Sequence, residues 1–144
     1  MIKVKRIDHV AIAVAERDAA TAGLEAMFGL EPGAREHVAS QATDVAFLYP
    51  GHRGDPGGEA TALEVCAPRG NAALDRFLAR RGPGLHHVCF AVDDLPAALA
   101  ALKAAGVRLI DETPRPGARG HQVAFLHHAS TAGVLSELCA GSEA

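Results

Sequence analysis

The sequence contains no tryptophan and few other aromatic side chains. Its 144 residues include one tyrosine and five phenylalanines, which is too few for the aromatic platforms on which proteins stack bases. Lys and Arg number 14 against 17 Asp and Glu, the formal net charge is −3, and no run of basic residues occurs. The composition therefore argues against nucleic acid, and against an anionic membrane surface, as a partner.

Long apolar runs and closely spaced cysteines are missing as well. No stretch reaches the roughly 18 apolar residues of a membrane-spanning helix, and residues 1–6 lack the pattern of an export signal. Cys66, Cys89 and Cys139 are odd in number and lie far apart, which disfavours a disulfide framework or a cysteine-rich zinc site. We therefore expect a cytoplasmic protein with reduced thiols.

An internal repeat is the main feature that the sequence does contain. The stretch IDHVAIAV at 7–14 matches LHHVCFAV at 85–92, and ALEVCA at 62–67 matches LSELCA at 135–140. The first pair is 78 positions apart and the second 73, so a change in loop length accounts for the difference. Two matches in the same order at nearly one spacing indicate a duplicated module.

Each copy of the module predicts a strand, a helix and three further strands. In the first copy the strands are expected near 4–14, 30–38, 44–49 and 60–67. In the second copy they are expected near 84–92, 107–111, 121–128 and 133–140. Mixed elements in this order predict an α+β fold with two tandem βαβββ modules.

Between the modules, the sequence predicts a connector helix near 70–82. Asn71 is a possible N-cap, and the apolar residues that follow it have helical spacing. The glycine- and proline-rich stretches 51–58 and 113–120 predict surface loops. We expect a single domain over residues 1–144, with module one at about 4–67 and module two at about 84–140.

The duplication places one histidine and one glutamate of each module on predicted strands. Strand side chains alternate between faces, so His9 shares a face with Ala11 and Ala13. The other companions on these faces are also small, namely Ala62, Cys66, Cys89 and Ala91. Such a face has room for a ligand. A pseudo-twofold relation would bring together the duplicated polar set, which consists of His9, Glu64, His87 and Glu137.

Two neutral nitrogen ligands and two anionic oxygen ligands suit a borderline divalent metal such as cobalt, nickel, zinc or manganese. A single histidine or glutamate on a strand is most often structural, but a duplicated set of four indicates a metal site. A buried carboxylate needs a charged partner. A metal ion would supply one for Glu64 and Glu137 together.

Four stretches carry a resemblance to a known family, and together they cover residues 7–140. They are IDHVAIAV at 7–14, FLARRGPGLHHVCFAVDDL at 77–95, GVRLIDETPRPGARG at 106–120 and VAFLHHASTAGVLSEL at 123–138. They resemble the methylmalonyl-CoA epimerases of the vicinal oxygen chelate superfamily, which has the glyoxalase fold. The resemblance implies a cup-shaped, partly open barrel of mixed β-sheet with helices outside, and a homodimer.

The resemblance also implies the chemistry. It implies that His9, Glu64, His87 and Glu137 bind one divalent ion per chain, with cobalt expected first and nickel, zinc or manganese as alternatives. Members of this family carry either Gln or Glu at the Glu64 position. The implied reaction interconverts the 2R and 2S forms of an acyl-CoA thioester, methylmalonyl-CoA, through an enolate that the metal stabilises as a Lewis acid. Glu137 is implied to be a catalytic acid–base group.

The second acid–base group is not evident. Some family members carry a glutamate near residue 45, where this chain has Val45, and the neighbouring Asp44 is predicted to face the other way. Either Glu64 serves both as a ligand and as a base, or a one-residue slip presents Asp44.

Several other polar residues have weaker signals. His127-His128 stands where the family usually has His-Pro, so His128 is a candidate polar group near the site, although a structural role suits it better. His86 is expected on the face opposite His87, in hydrogen bonds behind the strand. The arginines available for CoA phosphates are Arg80, Arg81, Arg115 and Arg119. His121 has no functional context.

Each cysteine follows a predicted ligand by two residues and so shares its face. The simplest interpretation is that the three cysteines are small apolar fillers. The alternative is that they are soft thiols close to the metal.

Two alternatives to the epimerase function stay open. Another metal-dependent member of the superfamily, such as a lactoylglutathione lyase or an epimerase of a different acyl-CoA, would use the same four ligands. A drug-binding protein of the bleomycin-resistance type would use the cavity without a metal. The intact set of two histidines and two glutamates counts against the drug-binding function.

Overall fold

The structure is a computed structural model of the 144-residue chain, and it describes residues 2–51 and 60–141. The strands are β1 (Arg6–Ala13), β2 (Glu31–Val38), β3 (Thr43–Tyr49), β4 (Ala62–Pro68), β5 (Gly84–Ala91), β6 (Arg115–Pro116), β7 (Gln122–Leu126) and β8 (Ser136–Ala140). The helices are α1 (Arg17–Phe28), α2 (Ala72–Arg81) and α3 (Leu95–Ala104). In the part of the chain that is described, no helix combines the length and the apolar character needed to cross a bilayer.

All eight strands belong to one mixed sheet that curls into a half-barrel, in the order β2-β3-β4-β1-β5-β8-β7-β6. The antiparallel pair of β1 and β5 joins the two modules. Within each module the first strand pairs in parallel with the last, β1 with β4 and β5 with β8. The four strands that carry the predicted ligands are therefore neighbours at the centre of the sheet.

The outer face of the sheet is covered by α1 and α3. Leu24 of α1 packs against Val14 and Val65, and Leu99 of α3 packs against Leu138. The inner face carries the small residues that the alternation predicts, and Leu74 and Phe77 of α2 pack into the cluster formed there. The predicted α+β architecture, with its mixed curled sheet, is confirmed. The single continuous sheet supports one domain over 1–144, which stays a prediction.

Local sequence explains where the helices start and stop. The side chain of Asn71 accepts a hydrogen bond of 2.9 Å from the backbone N–H of Leu74, which makes it the N-cap of α2, as predicted. Asp94 caps α3 in the same way, through the N–H of Ala97 at 3.0 Å. Helix α1 ends at Gly29, whose φ of 65° is the left-handed conformation that glycine adopts without strain.

One predicted strand is wrong. Residues 107–111 form only an isolated bridge between Leu109 and Leu126, and the short β6 lies instead inside the predicted loop 113–120. The backbone N–H groups of Ile110 and Asp111 both donate to the carbonyl of Phe125, so the segment turns away after one pair. The prolines that follow lack the N–H that a ladder needs. Of the predicted loop 51–58, residues 52–58 lie outside the described part of the chain.

Irregular register between β1 and β5 changes which side chains face inward. The pairing shifts between Ile7 and His9, and shifts again near the start of β5. Because of the first shift, Asp8 and His9 are both buried, at 2% and 3% exposure. A strand without irregularity would have pointed them to opposite faces.

Candidate metal and acid–base site

The four predicted ligands lie together on the inner face and are all buried. Nε2 of His9 lies 3.1 Å from Oε1 of Glu137 and 3.3 Å from Oε1 of Glu64. Nε2 of His87 lies 3.2 Å and 3.4 Å from the same two oxygens. Two imidazole nitrogens therefore converge on two carboxylates, and we call this set the quartet.

Sheet register explains the convergence. Ala11 on β1 is directly opposite both Glu64 on β4 and His87 on β5. Cys89 on β5 is directly opposite both His9 and Glu137. Cross-strand neighbours lie about 5 Å apart, so the four side chains project from adjacent positions of four adjacent strands.

Asp8 positions His9 by contacting the ring nitrogen that faces away from the carboxylates. Its Oδ2 lies 2.7 Å from Nδ1 of His9, which directs the opposite nitrogen of the ring toward the carboxylates. Arg6 pairs with Oδ1 of Asp8 at 3.0 Å, and Arg119 pairs with Oδ2. Burial alone would raise the pKa of Asp8, but the hydrogen bond with His9 and the charge of Arg119 hold that pKa well below its usual range.

His86 contacts the corresponding nitrogen of the His87 ring. The two Nδ1 atoms lie 2.8 Å apart, and the His86 ring meets the ring of Phe77 edge to face at 5.0 Å. Burial lowers the pKa of His86 to about 4, so His86 is neutral and accepts the Nδ1–H of His87. The sequence predicted His86 on the face opposite His87, in hydrogen bonds behind the strand, whereas the register shift near the start of β5 brings it against His87 itself.

The charges of the quartet compensate one another. Burial would raise the pKa of Glu137, but the imidazoles of His87 and His9 beside it lower it to about 2. Burial would lower the pKa of His87, but the carboxylates of Glu137 and Glu64 beside its Nε2 raise it to about 9. In the same way, the pKa of His9 is well above and that of Glu64 well below the ordinary value. Both glutamates are therefore carboxylates at neutral pH.

The donor set fits a divalent ion. Nε2 of His87 is buried and has no hydrogen-bond partner of good geometry, although two carboxylate oxygens lie within 3.4 Å of it. An ion with bonds of about 2.1 Å holds adjacent octahedral ligands roughly 3 Å apart. The separations of 3.1–3.4 Å between nitrogen and oxygen in the quartet are close to this value.

The residues around position 45 do not supply a second base. Val45 is opposite Cys66 and Asp44 is opposite Ala67, so the one-residue slip is absent. Asp44 pairs with Nδ1 of His37 at 2.8 Å and with Arg69 at 3.0 Å, on the other face of the sheet. Among the predicted acid–base groups, the quartet contains Glu64 and Glu137 but not Asp44.

Arg119 reaches the inner face from the loop before β7. Its guanidinium lies 4.2 Å above the ring of Phe47, whose edge meets the ring of His9. The backbone of Arg119 has φ of 59°, a conformation rare outside glycine, and its N–H donates to Oε2 of Glu36 at 2.9 Å. Its Nε is buried without a hydrogen-bond partner. The sequence offered Arg119 only as one of four possible phosphate-binding arginines.

The other polar residues that the sequence singled out lie outside the quartet. A cavity of about 570 Å³ is lined by Arg76, Arg80 and Arg81 of α2, by His128 and, at its border, by His87. The rings of His127 and His128 stack at 4.3 Å, outside the quartet. Arg115 pairs with Asp111 at 3.3 Å.

Comparison with known proteins gives the family. The family model described as "Glyoxalase/Bleomycin resistance protein/Dioxygenase superfamily" matches residues 8–125. The mitochondrial methylmalonyl-CoA epimerase of Dictyostelium discoideum is 34% identical over 140 residues, which are 95% of this chain and 79% of that protein. The ethylmalonyl-CoA/methylmalonyl-CoA epimerase of Cereibacter sphaeroides is 34% identical over 92% of this chain and 96% of its own length.

A solved structure agrees with these relatives. A variant of the Streptomyces coelicolor methylmalonyl-CoA epimerase, in complex with 2-nitronate-propionyl-CoA, superposes with a TM-score of 0.88 at 33% identity. The match covers 97% of this chain and 99% of the other. This chain belongs to the methylmalonyl-CoA epimerase family. The family resemblance and the fold expected from the sequence are thereby confirmed. Enzymes of the superfamily bind a divalent metal, and this member offers possible ligands for one.

Proposed function

We propose that this protein is an epimerase that interconverts (2R)- and (2S)-methylmalonyl-CoA by removing and returning the proton on C2. The observation that carries the proposal is the buried quartet, in which two imidazoles and two carboxylates converge in a member of the methylmalonyl-CoA epimerase family. The quartet also counts against a metal-free drug-binding protein, because two imidazoles and two carboxylates that converge are a donor set for a divalent ion.

We further propose that His9, Glu64, His87 and Glu137 hold the divalent ion, with cobalt first and nickel, zinc or manganese accepted by the same donors. A bound ion supplies Lewis-acid stabilisation of the negative charge that develops on the thioester oxygen. Asp8 and His86 keep the two imidazoles in the orientation that this requires, through their contacts of 2.7 Å and 2.8 Å.

Glu137 is proposed to take the proton from C2 on one face of the substrate. The C2 proton is acidified by a thioester on one side and a carboxylate on the other, so a carboxylate base can remove it once the enolate is stabilised. Glu64 is proposed as the acid–base group for the other face. The support for Glu64 is its place in the quartet, together with the apolar Val45 and the distant Asp44.

Arg119 is proposed to bind the free carboxylate of the substrate. Its guanidinium lies on the inner face beside Phe47, with an unpartnered Nε. A guanidinium is always charged and can donate two parallel hydrogen bonds to one carboxylate. This role would favour malonyl thioesters over simple acyl thioesters.

The test is proton exchange at C2. We expect the metal-loaded protein to replace the C2 proton of (2R)-methylmalonyl-CoA with deuterium in D2O, followed by proton NMR, and a chelator to stop the exchange. Propionyl-CoA, which lacks the free carboxylate, is the control and should not exchange. Absence of exchange from the metal-loaded protein would contradict the proposed substrate.

A longer acyl group is a second candidate substrate. The Cereibacter sphaeroides relative carries ethylmalonyl-CoA in its name, beside methylmalonyl-CoA. The same exchange experiment with ethylmalonyl-CoA would compare the two substrates by kcat/KM.

A homodimer is proposed through the outer face of the central strands. Val10 and Val88 point away from the quartet and are half-buried, and Ile7 and Leu85 are exposed by 45% and 71%. These residues form an apolar strip on β1 and β5, between the areas that α1 and α3 cover. Contiguous exposed apolar residues of this kind mark protein contacts, and a twofold axis on the strip would pair it with itself.

Placing a charge in this strip should separate the subunits. We expect the wild type to sediment as a dimer and Leu85→Arg to raise the dimer Kd by at least about 100-fold, because each copy would bury an unpaired charge. Ile110→Arg, at a half-exposed residue outside the strip, should leave the dimer intact. Sedimentation of the wild type as a monomer at micromolar concentration would contradict the proposal.

A cytoplasmic location is proposed as well. The three cysteines are free and buried. Reducing compartments keep such thiols unpaired, which supports the location expected from the sequence.

A further inference from the structure

A second group of metal-binding side chains lies one layer below the quartet. Candidate ligand atoms of Asp8, His121 and Cys139 all lie within 4.8 Å of one another. Cys139 follows Glu137 by two positions on β8, so it shares the inner face and lies about 7 Å further along the strand. Cys139 is 1% exposed and Asp8 is 2% exposed. The mechanism proposed above uses neither His121 nor Cys139.

The thiols come close together at this point. Cys89 and Cys139 pack together in one buried cluster, and a ring nitrogen of His121 lies within 4.8 Å of the Cys139 sulfur. Cys89, which is fully buried, also lies within 4.8 Å of Asp8 and His9, measured between candidate ligand atoms. Cys89, Cys139 and His121 therefore surround one small region beside Asp8.

His121 has a ring nitrogen available for this region. Its Nδ1 is buried without a hydrogen-bond partner, while its Nε2 edge faces the backbone of Gly141. A buried imidazole nitrogen without a partner costs free energy, and binding a metal is one way to remove that cost. No motif in the sequence singles out His121, which lies just before β7.

Asp8 retains the capacity for one more contact. A carboxylate offers about four lone-pair positions. Arg6 uses one of them on Oδ1, while His9 and Arg119 use two on Oδ2. A fourth partner can approach without displacing the other three.

We propose that Cys139, His121 and Asp8, with Cys89 as the fourth ligand, form a second metal site for a thiophilic divalent ion such as zinc or cadmium. Thiolate, imidazole and carboxylate are zinc donors, and a tetrahedral zinc ion holds its ligands about 3.3–3.8 Å apart. The ligand atoms of Asp8, His121 and Cys139, which lie within 4.8 Å of one another, therefore need to close by about one ångström. The quartet has no sulfur ligand, so the two sites differ in the ions they select.

The second site is coupled to the first through Asp8. The same carboxylate that would bind the thiophilic ion holds Nδ1 of His9. Each thiol that binds the ion loses its proton, and the two negative charges offset the ion beside Arg6 and Arg119. A soft ion at this site would therefore alter the orientation and basicity of His9.

The test is a cobalt titration of the full-length protein, freed of metal and kept reduced with a phosphine. We expect two ions per chain, one of which gives the near-ultraviolet charge-transfer band of a cobalt thiolate. Cys139→Ser should lower the intensity of this band by about half, because one of the two thiolate ligands is lost, and His121→Ala should weaken binding of that ion by at least about 10-fold. The other ion should bind to both variants as it does to the wild type.

Cys66 provides the matched control. It is buried and follows Glu64 by two positions, as Cys139 follows Glu137. Among the described residues, however, no cluster of possible metal ligands contains it. Cys66→Ser should therefore keep the band. The proposal is overturned if the wild type shows no thiolate band, if the band keeps its full intensity in Cys139→Ser, or if Cys66→Ser weakens it. If Cys139→Ser does not fold, the affinity of His121→Ala for the second ion tests the proposal, and an unchanged affinity would overturn it. None of these readouts depends on epimerase activity.

Discussion

Glu137→Gln is expected to lower the rate of epimerisation by about 10²–10⁴-fold, the usual contribution of a positioned acid–base group. The amide keeps an oxygen in the place of the carboxylate, so the metal content should stay close to one ion per chain. The amide cannot accept the C2 proton, however. The measurement is the conversion of (2R)- to (2S)-methylmalonyl-CoA, with the metal content of each preparation determined in parallel.

Glu64→Gln is the matched comparison, because it makes the same change in the other carboxylate of the quartet. If Glu64 serves the second face, this variant should convert epimers about 10²-fold more slowly, while the C2 proton of one epimer still exchanges with D2O within a few-fold of the wild-type rate. Retention of more than a tenth of the activity by Glu137→Gln would refute the role of Glu137. Unchanged rates in Glu64→Gln would refute the role of Glu64.

Asp8→Asn is expected to weaken metal binding by about 10–100-fold and to destabilise the fold by roughly 3–5 kcal/mol. The first effect follows from the loss of the anionic partner of His9 Nδ1, because such partners orient a ligand and raise its basicity. The second effect arises because Arg119 is left with its buried charge uncompensated. Calorimetric metal titration and urea unfolding measure the two effects separately.

Asp93→Asn is the control for this substitution. Asp93 pairs with Lys5 at 3.1 Å, but its side chain is 83% exposed, so the change should cost at most about 0.5 kcal/mol and leave the metal affinity unaltered. A wild-type metal affinity in Asp8→Asn would show that the contact between Asp8 and His9 does not matter for the site.

Most of what could be predicted from the sequence followed from the internal repeat. Strand alternation was enough to put His9, Glu64, His87 and Glu137 on one face, since the two register shifts fall just before His9 and His87 and leave the alternation after them intact. The connector helix was predictable because Asn71 is a strong local cap. These inferences depend on neighbours in sequence, and a single sequence contains that information.

The residues that were missed depend on contacts that are distant in sequence or on irregular register. Asp8 should have faced away from His9, but the shift between β1 and β5 turns it inward. Arg119 is 111 positions from Asp8, and it reaches the inner face through a left-handed backbone that Glu36 helps to hold. The strand at 107–111 was predicted from its apolar pattern, but the hydrogen bonds to Phe125 and the prolines that follow prevented the ladder.

The central order β4-β1-β5-β8 has a consequence for how the chain is made. His9 and Glu137 are 128 positions apart, and each module alone contributes one imidazole and one carboxylate. As the chain leaves the ribosome, the first module can pair β1 with β4 before the second exists, but it then holds half of the donor set. Glu137 is the last of the four to emerge, so a complete set of donors forms only after β8 has joined the sheet. Binding of the proposed ion would therefore follow the assembly of the two halves, because the first half alone offers only two of the four donors.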